Sequence, residues 1–191
     1  IAVSDAQFGF PEVQLGLHPG LGGVARSIRL IGPVEAMTLM LTGKSLRASQ
    51  AKRVGLVDAV VEERHVAAAV KAAVEGKLKR KPLGATAGLA GSALGRPIFA
   101  SLLRRETARK ARPEHYPAPY ALIALWQRHG GSFEALKAAE VPSFSRLIVT
   151  PQAQNLVRLF FLREGLKGWA KGGSPVQRLH VIGAGAMGGD V

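Results

Sequence analysis

Apolar and polar positions alternate over residues 2–14, with Phe8 and Phe10 on one side, and this stretch reads as extended chain. A glycine-rich loop follows over residues 15–23, with Pro19-Gly20 as a turn signal. Helical spacing then predicts a short helix over residues 24–30, stopped by Gly32, and a second over 34–41 ending at Thr42-Gly43. Ser49 is a good N-cap for a helix over 50–54, with Gly55 as its stop. Residues 57–61 read as a strand. Residues 62–78 read as a helix with acids early and lysines late, the order the helix dipole favours.

Residues 79–95 change character: Lys-Arg-Lys-Pro gives way to small residues with Gly84, Gly88, Gly91 and Gly95, which reads as a linker with weak helix. A basic amphipathic helix is predicted over 96–112, a turn-rich joint over 113–119 and a helix over 121–129. Ser132 caps a helix running to about residue 139. A longer helical run covers 143–163, with Pro151 kinking it or opening a new segment at Thr150. Residues 179–182 form a short apolar strand leading into Gly183. No internal repeat is visible.

Composition adds a core and a charge. Hydrophobic residues are 47% of the 191, enough to exclude general disorder. There is no cysteine, so disulfides and cysteine-ligated metals are excluded; this fits a reducing compartment, and the expectation is a cytoplasmic protein. No apolar run reaches the roughly 20 residues of a membrane span; the chain does not start with Met and no charged n-region precedes an apolar h-region, so no signal peptide is expected in it. The chain opens on Ile1-Ala2-Val3 and stops within a glycine motif, so an internal piece of a longer protein is expected. The net charge is +13, and residues 71–112 carry eleven Lys and Arg against Glu75 and Glu106. Such a stripe suits an anionic partner such as nucleic acid, acidic lipid or a phosphate-bearing cofactor, while the bland reading is a solvated face. Aromatics are only 6% and Phe99 alone interleaves with the stripe, which argues against nucleic acid.

The first motif with chemistry is Phe8-Gly9-Phe10-Pro11-Glu12-Val13-Gln14-Leu15-Gly16-Leu17-His18-Pro19-Gly20-Leu21-Gly22-Gly23. Glu12 is the only acid between Asp5 and Glu35, set among Phe, Pro, Val and Leu. Surroundings of that kind disfavour the charged form of a carboxyl, the setting of a general acid or base; the competing reading is a surface acid in a first helical turn. The loop residue His18 reads as solvated.

This stretch resembles the signature of the crotonase (enoyl-CoA hydratase/isomerase) family, in which Phe-x-x-Pro-Glu precedes Leu-Gly and Pro-Gly-x-Gly-Gly. The resemblance runs on through residues 26–32, Leu41-Thr42-Gly43, residues 48–52 and Gly55-Leu56-Val57-Asp58, to about residue 73. It implies that Glu12 is one of two catalytic glutamates, exchanging a proton with the substrate α-carbon, and that Pro11 and Gly20 line the substrate site. The partner glutamate, the oxyanion donors and most of the coenzyme A pocket belong, in that family, to segments before the match. One departure is Val24-Ala25 after Gly22-Gly23, where the family has a polar pair; it reads as a packing variation at the helix start.

The second motif is Leu179-His180-Val181-Ile182-Gly183-Ala184-Gly185-Ala186-Met187-Gly188, a short strand followed by Gly-x-Gly-x-x-Gly. In a dinucleotide fingerprint Gly183 makes the tight turn, Gly185 admits the pyrophosphate and Gly188 lets helix and strand pack. Between the motifs, Tyr116-Pro117-Ala118-Pro119-Tyr120, Phe144-Ser145-Arg146-Leu147 and residues 154–162 resemble the connector of the multifunctional fatty-acid β-oxidation proteins. Residues 79–95 match least.

The resemblance implies an α/β fold, cut at both ends. Residues 1–78 would be the C-terminal half of a crotonase-like hydratase domain, 79–176 a linker and helical connector, and 177–191 the first strand of a Rossmann 3-hydroxyacyl-CoA dehydrogenase domain. It implies a parent enzyme that hydrates trans-2-enoyl-CoA and oxidises 3-hydroxyacyl-CoA with NAD, with a coenzyme A thioester as substrate, no metal, and a thiolase subunit as partner. The fragment alone is expected to be inactive. Two alternatives stand beside it: a crotonase with isomerase activity only, and a basic nucleic-acid or membrane-binding module.

Overall fold

The computed structural model describes residues 1–169. Residues 1–158 form one compact unit, and a second unit begins at Leu159. The predicted strand at 179–182 and the glycines Gly183, Gly185 and Gly188 lie outside the described residues.

The described fold is a mostly helical α/β arrangement. Its strands are β1 (Ala2–Val3), β2 (Gln7–Gly9), β3 (Ser45–Arg47) and β4 (Val60–Val61). β1 pairs with β4 in parallel, Ala2 opposite Val60. β2 pairs with β3 antiparallel, Phe8 opposite Leu46. The helices are α1 (Gly23–Thr42), α2 (Ala48–Val54), α3 (Val66–Val74), α4 (Ala85–Gly91), α5 (Gly95–Ala108), α6 (Pro117–His129), α7 (Phe133–Ile148) and α8 (Pro151–Trp169).

Several expectations need correction. The extended start ends at Gly9; residues Pro11–Leu15 form a 3₁₀ turn with proline in its first position, so Glu12 sits on a turn rather than a strand. The N-cap of α2 is Arg47, not Ser49: the backbone N–H of Arg47 donates to Gln50 Oε1 (2.9 Å), closing the helix start from inside. Helix α3 spans only Val66–Val74, preceded by a 3₁₀ turn at Glu63–His65. The predicted break near residue 140 is absent, and α7 runs unbroken through Pro142. Pro142 and Ala138, whose carbonyl loses its helical donor, are both exposed, so water can serve that carbonyl. The two-helix reading of residues 24–41 holds. Gly32 has φ 81 and ψ 162 inside α1, a conformation only glycine adopts readily, and it divides the helix.

The main core joins the two halves of the sequence. Ile31, Ala36, Met37 and Met40 of α1 pack with Ala100 of α5, Leu122, Ile123 and Trp126 of α6, and Leu136 of α7. Trp126 is wholly buried, its ring edge-on to Phe99 at 5.7 Å. A smaller cluster of Leu17, Ala118, Leu147 and Ala153 lies under the glycine-rich loop. No break in packing falls at residue 79.

Candidate functional site

The 3₁₀ turn puts Glu12 one residue inside a proline start, with its backbone carbonyl turned toward the chain that follows. That carbonyl accepts from Leu17 N (3.0 Å), which ties the turn to the start of the glycine bend. The Glu12 side chain is half-buried, and its Oε2 is buried with no hydrogen-bond partner. A buried polar oxygen without a donor is unusual and leaves a position that an incoming ligand can fill. Pro11 is exposed and Gly20 partly buried. Phe10, two residues before Glu12, approaches the far end of the bend: a Cβ on Gly23 would lie 3.5 Å from its ring.

The bend at residues 19–23 is held by α7. A Cβ on Gly20 would stand 2.6 Å from the Phe144 ring, so only glycine fits against that side chain. The two amides at the start of α1 reach across to Glu140: Gly22 N donates to Oε2 (2.6 Å) and Ala25 N to Oε1 (2.8 Å). These are N–H groups that a helix start leaves without internal partners, and a carboxylate there also meets the positive end of the helix dipole. Glu140 is 0% exposed. Burial raises its pKa, while the amides of Ala25, Gly22 and Val24 and the charge of Arg26 pull the other way.

His18 overturns its reading as a solvated loop residue: it is 1% exposed. Its Nδ1 lies 2.8 Å from the Pro19 carbonyl, which can only accept, so Nδ1 carries the proton. Its Nε2 then accepts from Ser143 Oγ at 2.8 Å. Burial lowers its pKa, helped by the charge of Arg146 and opposed by the bond to Pro19. Ser143, Phe144 and Glu140 thus address the bend from one face of α7.

Sequence reasoning found Glu12 and the bend and missed Glu140. A signal was present: Leu136, Glu140, Ser143 and Leu147 fall at helical spacing and are all buried, so Glu140 is an acid on the inward stripe of its helix. A separate hollow of about 560 Å³ opens between α6 and α7, with Leu125, Arg128, Arg146 and Leu147 among its walls; Glu12 and Gly20 are not part of it. The basic stretch over 71–112 is mostly exposed, with Lys77 paired to Glu75 and Arg109 to Glu106 at 2.6 Å. Among the described residues no helix is long and apolar enough to cross a membrane.

The geometry thus sets a half-buried carboxyl with an unpartnered oxygen on a turn bonded to a braced glycine bend. Residues 1–92 match the family model for enoyl-CoA hydratase/isomerase. Among solved structures, the chain is similar to a carnitinyl-CoA hydratase from Mycobacterium avium (24% identity, TM-score 0.48, covering 84% of this chain and 50% of that one). It is similar too to an enoyl-CoA hydratase from Thermoplasma volcanium GSS1 (24% identity, TM-score 0.35, covering 88% and 50%). The chain therefore spans about half the length of these structures.

Proposed function

We propose that this chain supplies one half of an enoyl-CoA hydratase site, with Glu12 as the proton carrier for the α-carbon of a coenzyme A thioester. Water adds across the α,β double bond: its oxygen bonds to the β-carbon, and protonated Glu12 gives its proton to the α-carbon. A second carboxylate takes the proton released by the water. Negative charge collects on the thioester oxygen during the addition, and backbone N–H donors there are worth roughly 3–4 kcal/mol each. The second carboxylate and those donors come, in this reading, from a segment outside the chain. Pro11 and Gly20 would line the substrate side of the half-site.

The single observation that carries the reading is the orphaned Glu12 Oε2, buried with no hydrogen-bond partner on the turn beside the glycine bend. The test uses a protein that joins this chain to a segment bearing the partner carboxylate. There Glu12→Gln should lower kcat for crotonyl-CoA hydration by roughly 10²–10⁴-fold while circular dichroism stays unchanged. Hydration near the wild-type rate would sink the assignment. The isolated 191-residue chain should show no turnover of crotonyl-CoA.

The dehydrogenase extension belongs to the same proposal and is supported by sequence alone. Residues 177–191 would open a Rossmann domain, with Gly183, Gly185 and Gly188 against the pyrophosphate of NAD. A thiolase subunit as partner and a cytoplasmic setting come from the same family resemblance.

A further inference from the structure

We propose that Glu140 is a positioning residue for this half-site: its carboxylate, brought in by α7, sets the amides of Gly22 and Ala25 and so fixes the glycine bend tied to Glu12. The inference rests on the proposed hydratase reading and extends it to a residue well beyond the 1–92 family match.

Two glutamates meet this region and their states are opposite. Glu12 has a buried oxygen with no partner, whereas Glu140 has both oxygens engaged, one by Gly22 N and one by Ala25 N. A fully buried carboxylate with each oxygen bound to a backbone amide is engaged by the bend and has no exposed face for a substrate. Glu140 is therefore not the missing second proton carrier, although an acid so deeply buried invites that role.

It is also more than an ordinary helix cap. Caps are usually local, a Ser, Thr, Asp or Asn immediately before the helix. Here Gly22 occupies the cap position and offers no side chain, so the partner comes from 118 residues away. The bond fixes the relation of α7 to the bend as well as closing the start of α1. The neighbouring turn of α7 repeats the contact twice, through Ser143 to His18 and Phe144 against Gly20. Displacing this helix face would move the bend, and through the Leu17–Glu12 backbone bond the turn that carries Glu12.

The test has a structural arm and a kinetic arm. In the whole 191-residue chain, the amide resonances of Gly22 and Ala25 are followed by NMR over a pH series. The groups facing Glu140 are those two amides and the Val24 amide, with Arg26 as the charged neighbour. Wild type should show a common pH transition at Gly22 and Ala25, and Glu140→Gln should abolish it, since an amide NH₂ would confront one of the two N–H donors. His18 titration survives that substitution and is thereby told apart. In the protein joined to its complementary half, Glu140→Gln should lower kcat by roughly ten- to a hundredfold with KM changed less than about threefold, as expected for misplacement rather than lost binding. Glu140→Asp should recover part of the loss. Unmoved amides in Glu140→Gln, or an unchanged kcat, would each overturn the proposal. Glu12→Gln run alongside separates the two readings: if it stays active, the Glu12 assignment falls, whatever Glu140 does.

Discussion

His18 acquires its chemistry from residues that its own sequence neighbours do not reveal. Next to Pro19 in a glycine loop it reads as solvated, yet it lies in a buried niche between Ser143 and the Pro19 carbonyl, where burial disfavours its charged form. Its folded pKa lies below the ordinary 6.5, so the unfolded chain takes up this proton first as pH falls. The stability His18 contributes is thus complete above about pH 6.5 and is lost as pH drops toward the folded value. Glu140 acts in the opposite direction: its carboxyl keeps a proton to higher pH folded than unfolded, so acidification favours the folded chain there. Urea unfolding of wild type and His18→Gln as a function of pH should separate the two, with the substitution removing the decline below pH 6.5 and leaving the Glu140 contribution. Arg146 remains the charge facing His18. An unchanged pH slope would mean that His18 is not the group responsible. Glu12, by contrast, was legible: an isolated acid among apolar residues before a glycine bend needs no distant partner to be noticed. Glu140 was not, because its meaning lies in two amides far away in sequence.

At the scale of elements, punctuation was easier to read than extent. Gly32, Ser132 and Thr150 mark real boundaries. Ser132 Oγ accepts from Ala135 N (3.3 Å) and Thr150 Oγ1 from Ala153 N (3.2 Å), each capping the helix that follows. The gap read between residues 139 and 143 misled: α7 runs through it, Pro142 included. The tail of residues 62–78 misled too, since charge order favours a helix without fixing its length. The break in α1 yields a sharp expectation. A Cβ at Gly32 would lie 2.7 Å from Ala87 Cβ of α4, in a backbone conformation that side chains avoid. Gly32→Ala should destabilise by about 1–3 kcal/mol in urea unfolding. Gly88→Ala on α4 itself, where a Cβ meets nothing within 4 Å, should be neutral or slightly stabilising. Equal effects at the two positions would show that the break in α1 carries no strain for a side chain.

At the scale of the molecule, the main core crosses the boundary expected at residue 79. Met37 and Met40 share their core with Ala100, Leu122, Trp126 and Leu136, so residues 1–78 lack the partners that cover them. Expressed alone, residues 1–78 should show no cooperative thermal transition by circular dichroism, whereas the whole chain should. A cooperative transition in the short piece would establish it as a self-sufficient domain. Short-range pattern could not reveal this, because a core shared across sixty or more positions leaves no local trace at the join. The long bridge from Glu140 to the start of α1 carries a consequence in time. During synthesis the early glycine-rich segment leaves the ribosome well before α7 exists, and contacts so distant in sequence form late. A nascent chain would therefore hold Glu12 with its surroundings unset until the later helices emerge, chemically silent while it is being made.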